Sequence, residues 1–270
     1  MNDQAPLRDT YNRRINYLRL SVTDRCNLRC FYCMPAEGVQ DVGHCGVLSF
    51  EELQMIAECA VRLGIEKIRI TGGEPTVRAG LVDFLAKLSA IPGLRHLALT
   101  TNGLLLEQMA ADLYRAGVQR LNVSLDSLNP QTFREITRGG DLRKVLAGLD
   151  AALAAGFPHP KINVVIMRGI NDAEILDFAE LTRTRGCPVR FIEYMPVVRE
   201  DGWQRLCFSG HEVLQRIAEQ YRLEPIDKGA FSGPSQDFRI PGAMGSIGII
   251  TAVSGHFCND CNRIRVTARG

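Results

Sequence analysis

The sequence predicts an α/β fold, a parallel sheet whose strands are joined by crossover helices, with a smaller segment appended after it. Three observations lead there. Short β-rich runs alternate with longer amphipathic stretches as far as residue 221, the pattern of successive βα units. Within the β-rich runs, apolar and polar residues alternate with period two, giving each strand one greasy and one polar face. Beyond residue 221 the alternation stops, and Gly229, Ser232, Gly233, Pro234 and Ser235 fall close together. The expected division is therefore 1–221 for the βα body and 222–270 for an appendage that covers its open side or bottom. A chain of 270 residues with 46% hydrophobic composition can bury a core of that size.

In chain order, Met1 to Arg14 is polar and lacks the apolar core of a signal peptide. The strand candidates are 17–22, 66–71, 94–100, 119–125, 160–167 and 188–194. Between them, helices are expected at 49–64, 80–90, 104–116, 142–156 and 172–186, with a short one at 130–137 and another at 209–220. Local punctuation agrees. Ser49-Phe50-Glu51-Glu52 is a capping-box start. Asn129-Pro130 supplies an N-cap and a proline at the first helical position. Gly64, Gly117, Gly156 and Gly186 stand where helices should stop. Six βα units are too few for a closed eight-stranded barrel. They suit a partial barrel or an open sheet, and periodicity alone does not choose.

The alternation within the strands carries a functional hint. Leu18, Leu20 and Val22 oppose Arg19 and Ser21; Ile68 and Ile70 oppose Arg69 and Thr71. Leu121, Val123 and Leu125 oppose Asn122 and Ser124; Ile162, Val164 and Ile166 oppose Lys161 and Asn163. A parallel sheet covered on both faces would read as continuous apolar runs, and a closed barrel would be packed with branched apolar side chains. Neither pattern is present. A concave, wet inner surface carrying Arg19, Arg69 and Lys161 is expected, suited to a polar anionic ligand. The formal net charge is only +2, so nothing in the bulk charge argues for nucleic acid or a membrane surface, and no apolar run is long enough to span a bilayer.

Nine cysteines occur, in C-x3-C-x2-C and C-x2-C groupings that point to metal rather than to a disulfide framework and so to a reducing, cytoplasmic setting. Cys26, Cys30 and Cys33 follow the first strand candidate directly. A cubane iron–sulfur cluster normally takes four cysteines. Three would leave one iron with an open coordination site, able to bind and activate a small molecule. The competing reading is zinc, which in structural sites wants four ligands. Gly72-Gly73-Glu74-Pro75 follows the second strand, where active sites of parallel βα folds lie. Its two glycines allow close backbone approach, and Glu74 adds an acceptor. Cys258 and Cys261 form a lone C-x2-C, as often half a zinc site. Cys59, on a helical face with Ile56 and Leu63, is expected in the core. The histidines show no ligand spacing.

The C-x3-C-x2-C motif with Tyr32 before its last cysteine, followed by Gly72-Gly73-Glu74-Pro75, resembles the radical S-adenosylmethionine (SAM) superfamily. The likeness narrows with residues 21–27, Cys33-Met34-Pro35, 69–75, Thr100-Thr101-Asn102-Gly103, 122–127 and 257–265. Together these resemble the GTP 3′,8-cyclase family, which opens molybdenum cofactor biosynthesis, from about residue 12 to the last residue. The resemblance implies a laterally open, partial (β/α)6 TIM-type barrel. It implies that Cys26, Cys30 and Cys33 hold a [4Fe–4S] cluster whose free iron chelates SAM, and that Tyr32, Gly73, Ser124 and Met195 line the SAM pocket. Arg19, Arg69, Thr100 and Lys161 match GTP-binding positions. Cys258 and Cys261 match a second [4Fe–4S] cluster that binds the guanine, with Arg263, Ile264 and Arg265 as the GTP-contacting triplet and both arginines catalytic. The implied reaction starts from a 5′-deoxyadenosyl radical that takes hydrogen from ribose C3′, after which C3′ attacks guanine C8. An electron donor, a downstream cyclic pyranopterin monophosphate synthase and a second copy of the chain in a homodimer complete the implied partners. The family's second cluster takes a third cysteine further along than this chain runs, so a truncated product with an incomplete second ligand set is expected. Another radical SAM enzyme acting on peptides, or a non-catalytic iron–sulfur or zinc scaffold, stands as the alternative.

Overall fold

Residues 7–38, 46–195, 201–227, 229, 233–255 and 261–270 are described by a computed structural model of the chain. Six strands alternate with helices: β1 (Tyr17–Ser21), β2 (Lys67–Thr71), β3 (His96–Thr101), β4 (Arg120–Ser124), β5 (Lys161–Ile166) and β6 (Val189–Glu193). The crossovers carry α1 (Phe50–Arg62), α2 (Leu81–Ser89), α3 (Leu106–Arg115), α4 (Pro130–Thr137), α5 (Leu142–Ala154) and α6 (Ile175–Thr184). All six strands pair in parallel and in sequence, as right-handed βα winding favours.

The expected caps form. In α1 the Ser49 hydroxyl accepts from the Glu52 amide, and the Glu52 carboxylate accepts from the Ser49 amide at 2.7 Å. In α4 the Asn129 side chain accepts from the amides of Gln131 and Thr132, with Pro130 at the first position. A second capping box, Ser209 with Glu212, opens α7 (Gly210–Ala218). The buried stripe of α1 is Leu53, Ala57 and Ala60. Cys59 lies one position off that stripe and is exposed, contrary to the expectation of a core thiol.

The chain after α7 departs most from expectation. Its described strands lengthen the sheet at both edges. β7 (Glu224–Ile226), β8 (Gln236–Arg239) and β9 (Ile247–Ile250) form an antiparallel meander whose last strand joins β6 in parallel. β10 (Arg263–Val266) returns to the opposite edge and pairs in parallel with β1. The result is one ten-stranded sheet in the order β10-β1-β2-β3-β4-β5-β6-β9-β8-β7, mostly parallel and not closed. The partial barrel is thus an open, curved wall of strands.

The core lies between sheet and helices. Leu18, Leu20, Ile68, Ile70, Val123, Ile162, Val164 and Ile166 are all fully buried there, as the alternation requires. Burying such a side chain contributes roughly 1.5–3 kcal/mol. A smaller apolar cluster of Ile136, Met167 and Tyr194 sits apart from it, with Phe31, Tyr32 and Trp203 packed around.

Candidate active site

The polar face of the sheet lines a cavity of about 610 Å³, within the size range of small-molecule sites. Arg19, Arg69, Thr100, Asn122, Lys161 and Asn163 all border it, so the strand alternation located its walls. Register explains the grouping: Arg19 stands opposite Arg69 on β2 and opposite Arg265 on β10, and Asn122 stands opposite Lys161. The Arg69 guanidinium is held by the Tyr17 hydroxyl and, at 3.3 Å, by Thr100 Oγ1. Lys67, Arg120, Arg190 and Arg263 add their charge to the same walls, and Asp237 is the single carboxylate among the lining residues. Lys67, Arg120 and Arg190 went unnoticed in the sequence, yet each obeys the same parity. Lys67 lies two positions before Arg69, and Arg190 alternates with the buried Phe191.

Seven cations facing one carboxylate repel one another in a partly desolvated space. Burial, and then the charges of Arg69, Arg120, Lys161 and Arg190, push Lys67 down to about 7. Burial and Arg190 push Lys161 down to about 8, with Asp237 partly opposing. Burial lowers Arg190, and burial with the Arg265 charge lowers Arg19, each to about 10, which leaves both charged at neutral pH. Such an excess of donors is the property of a site for a polyanion.

The cysteine loop follows the C-terminal end of β1. It is fixed to α4 by backbone bonds from Arg29 to Thr137 and from Phe31 to Ile136, each 3.1 Å. Cys26, Cys30 and Cys33 are free thiols, the first two half-buried and Cys33 exposed. Cys30 and Cys33 share a hydrogen bond that holds the Cys30 thiol well above its ordinary value and Cys33 below it. Burial raises Cys26, whose sulfur accepts from the Leu28 amide at 3.4 Å and from Asn102 Nδ2 at 3.9 Å. Among the described residues no group of His, Cys, Asp and Glu is arranged around a single metal ion. Three cysteine thiols on one loop, with Cys33 exposed, are the donor type that an iron–sulfur cluster takes, each thiolate serving a different iron. The donor set thus fits an iron–sulfur cluster.

Gly72-Gly73 press against the approach to that loop. A Cβ on Gly73 would lie 2.2 Å from the Arg25 carbonyl oxygen, and one on Gly72 would lie 2.7 Å from that of Thr23, so neither position has room for a side chain. Glu74 differs from expectation. It is buried, and its carboxylate already accepts from the Thr76 amide and hydroxyl, the Thr101 hydroxyl and the Asn102 amide. It ties this turn to the end of β3 rather than offering a free acceptor. Asn102 passes the tie on, donating to Asn27 at 2.7 Å as well as toward Cys26. The Tyr32 hydroxyl turns inward and donates to Asp126 at 2.7 Å. Asp126 also accepts from the Val165 amide, while burial pushes it up to about 6. Ser124 ends β4 half-buried, and Met195 follows β6 exposed.

Arg263 reaches the cavity, whereas Arg265 lies beside Arg19 without bordering it. Strand alternation puts the exposed Ile264 side chain on the opposite face. Cys261 is half-buried just before β10, and Cys258 lies outside the described residues.

The sequence pattern described as the Radical SAM superfamily matches residues 20–182, and that described as Molybdenum Cofactor Synthesis C matches 187–270. A GTP 3′,8-cyclase of Geobacter sulfurreducens is 67% identical over 262 residues, covering 97% of this chain and 80% of the relative. The chain belongs to the GTP 3′,8-cyclase family. The GTP 3′,8-cyclase of Alkaliphilus oremlandii is 48% identical, over 98% of this chain and 82% of that one. Among solved structures, Streptococcus suis SuiB bound to S-adenosylmethionine matches 76% of this chain and 43% of its own, with a TM-score of 0.59 and 16% identity, a likeness of fold. As a radical SAM enzyme, this member of the GTP 3′,8-cyclase family uses a [4Fe–4S] cluster and SAM. No helix among its described residues is long and apolar enough to cross a membrane.

Proposed function

We propose that this chain cyclises GTP to (8S)-3′,8-cyclo-7,8-dihydroguanosine 5′-triphosphate, the opening step of molybdenum cofactor biosynthesis. The observation that carries this reading is a cavity walled by seven cations on the inner face of an open sheet whose first strand leads directly into a three-thiol loop. A cluster on Cys26, Cys30 and Cys33 would supply the electron that breaks the S–C5′ bond of SAM and yields a 5′-deoxyadenosyl radical. Everything else is positioning. Tyr32, Gly73, Ser124 and Met195 would border SAM, with Glu74 and Asp126 bracing the backbone on which the pocket is built. Arg19, Lys67, Arg69, Lys161 and Arg190 would hold the triphosphate, Thr100 steadying Arg69. The triphosphate would thereby fix the ribose, so that C3′ meets the radical and C8 meets C3′.

Arg263 and Arg265, on the strand that closes against β1, would approach the nucleotide from the other edge, Ile264 through its backbone alone. We read 222–270 as the segment that walls in the substrate and, through Cys258 and Cys261, contributes to a second cluster near the guanine. The reaction requires a one-electron donor, and its product would pass to a cyclic pyranopterin monophosphate synthase. A peptide substrate is disfavoured by the near absence of carboxylates among the cations.

The test is anaerobic SAM cleavage by the reconstituted protein, with 5′-deoxyadenosine measured with and without GTP. GTP-stimulated formation, together with a cyclised nucleotide, is expected. Cleavage indifferent to GTP would contradict the substrate assignment, and no cleavage despite a bound cluster would contradict the mechanism.

A further inference from the structure

The cavity contains one group that a triphosphate cannot satisfy. Asn163 Oδ1 is buried and has no hydrogen-bond partner among the described residues. A buried amide oxygen left unpaired is costly, so a donor beyond the described residues is called for, and a bound ligand can supply it. Phosphate oxygens at neutral pH only accept. The surrounding arginines and lysines donate, yet none of them turns to Asn163; the Arg190 Nε, from the residue opposite it in register, is itself unpartnered.

Position says which part of a nucleotide could supply that donor. On β5, Asn163 lies one step along the inner face from Lys161, toward the end of the strand where the cysteine loop sits. Its partners in register are Ser124 on β4 and Arg190 on β6. It therefore stands level with Ser124 of the proposed SAM pocket on one side and with the cation Arg190 on the other. Between a triphosphate and a reacting sugar carbon lies the ribose, whose hydroxyls are donors.

We propose that Asn163 accepts a hydrogen bond from a ribose hydroxyl of the substrate, holding the sugar between the cation cradle and the radical source and selecting ribonucleotides over deoxyribonucleotides. The inference rests on the GTP reading of this cavity. Asn163 borders the ligand as a specificity and positioning residue; it transfers no proton and makes no bond.

The test is anaerobic equilibrium dialysis of the reconstituted protein with GTP, 2′-deoxy-GTP, 3′-deoxy-GTP, inosine triphosphate and inorganic tripolyphosphate. Wild-type protein is expected to bind GTP about tenfold more tightly than at least one of the deoxy analogues. Asn163→Ala should lose that preference while binding tripolyphosphate as wild type does, and Asn163→Ser, which keeps an acceptor, should recover part of it. Intact tripolyphosphate binding shows that the variant is folded with its cradle in place. A preference that persists in Asn163→Ala would overturn the proposal. So would weakened tripolyphosphate binding, which would make Asn163 part of the cradle, or a selective loss of discrimination between GTP and inosine triphosphate, which would turn it toward the base. If wild-type protein binds neither GTP nor tripolyphosphate, the GTP reading itself fails and this inference with it.

Discussion

Lys67 and Lys161 are the cations of the cradle whose charge depends on pH near neutrality, at about 7 and about 8. A polyanion binds their charged forms and raises both values, so affinity is greatest below the free-state values. Above them each lysine must first take up a proton. Tripolyphosphate affinity should therefore be flat below pH 7 and fall between pH 7 and 9, by at most about tenfold per pH unit for each neutral lysine. Calorimetry across that range checks it, and a flat profile would mean that the arginines alone bind. Lys161→Met should weaken tripolyphosphate binding by roughly tenfold or more, since it removes a buried charge that would face phosphate. Sequence parity was enough to find Arg19, Arg69 and Lys161 because polar residues alternate with core residues along each strand. It could have reached Lys67 and Arg190 by the same rule. Glu74 and Asp126 could not be read this way, because their partners, Asn102 for one and Tyr32 and Val165 for the other, are distant in sequence.

Two connections between elements hold the site's rim in place. The turn after β2 fits under the cysteine loop only because Gly73 lacks a side chain. Gly73→Ala should destabilise the protein by about 1–3 kcal/mol and displace the loop, read as a lower melting temperature together with weakened SAM binding. At the end of β6, the buried Glu193 accepts from the amides of Gly210, Val253 and Ser254, each at 2.7–2.8 Å, and from the Ser254 hydroxyl. It fastens the start of α7 and the stretch leading toward Cys258 to the same strand end. Hydrogen bonds from Ser254, Gly210 and Val253 outweigh the burial that would raise it, and keep Glu193 below the ordinary carboxylate value. Glu193→Ala should cost about 1–3 kcal/mol, because the buried Gly210 amide and the amides of Val253 and Ser254 lose their acceptor together; denaturant unfolding measures it, and a change within about 0.5 kcal/mol would contradict this role. The helices and the first six strands were legible from periodicity and caps. The last four strands were not. β7, β8 and β9 are short segments of three or four residues, below the length at which alternation is distinctive, and the pairing of β10 with β1 joins opposite ends of the chain.

For the whole molecule, an open sheet explains why one fold can carry both an apolar core and a charged basin. A closed barrel of this strand number would fill its interior with side chains. Here the wall ends at β10 on one edge and β7 on the other, and the inner face stays polar. The net charge of +2 conceals this concentration of cations, which is why composition alone gave no hint of an anionic substrate. In the proposed arrangement the cation basin holds GTP with its ribose C3′ facing the radical generated beside the cysteine loop. GTP carrying deuterium at C3′ tests it most directly. Deuterium recovered in 5′-deoxyadenosine, alongside a cyclised nucleotide, is the expected result. Unlabelled 5′-deoxyadenosine formed while labelled GTP is bound would contradict it.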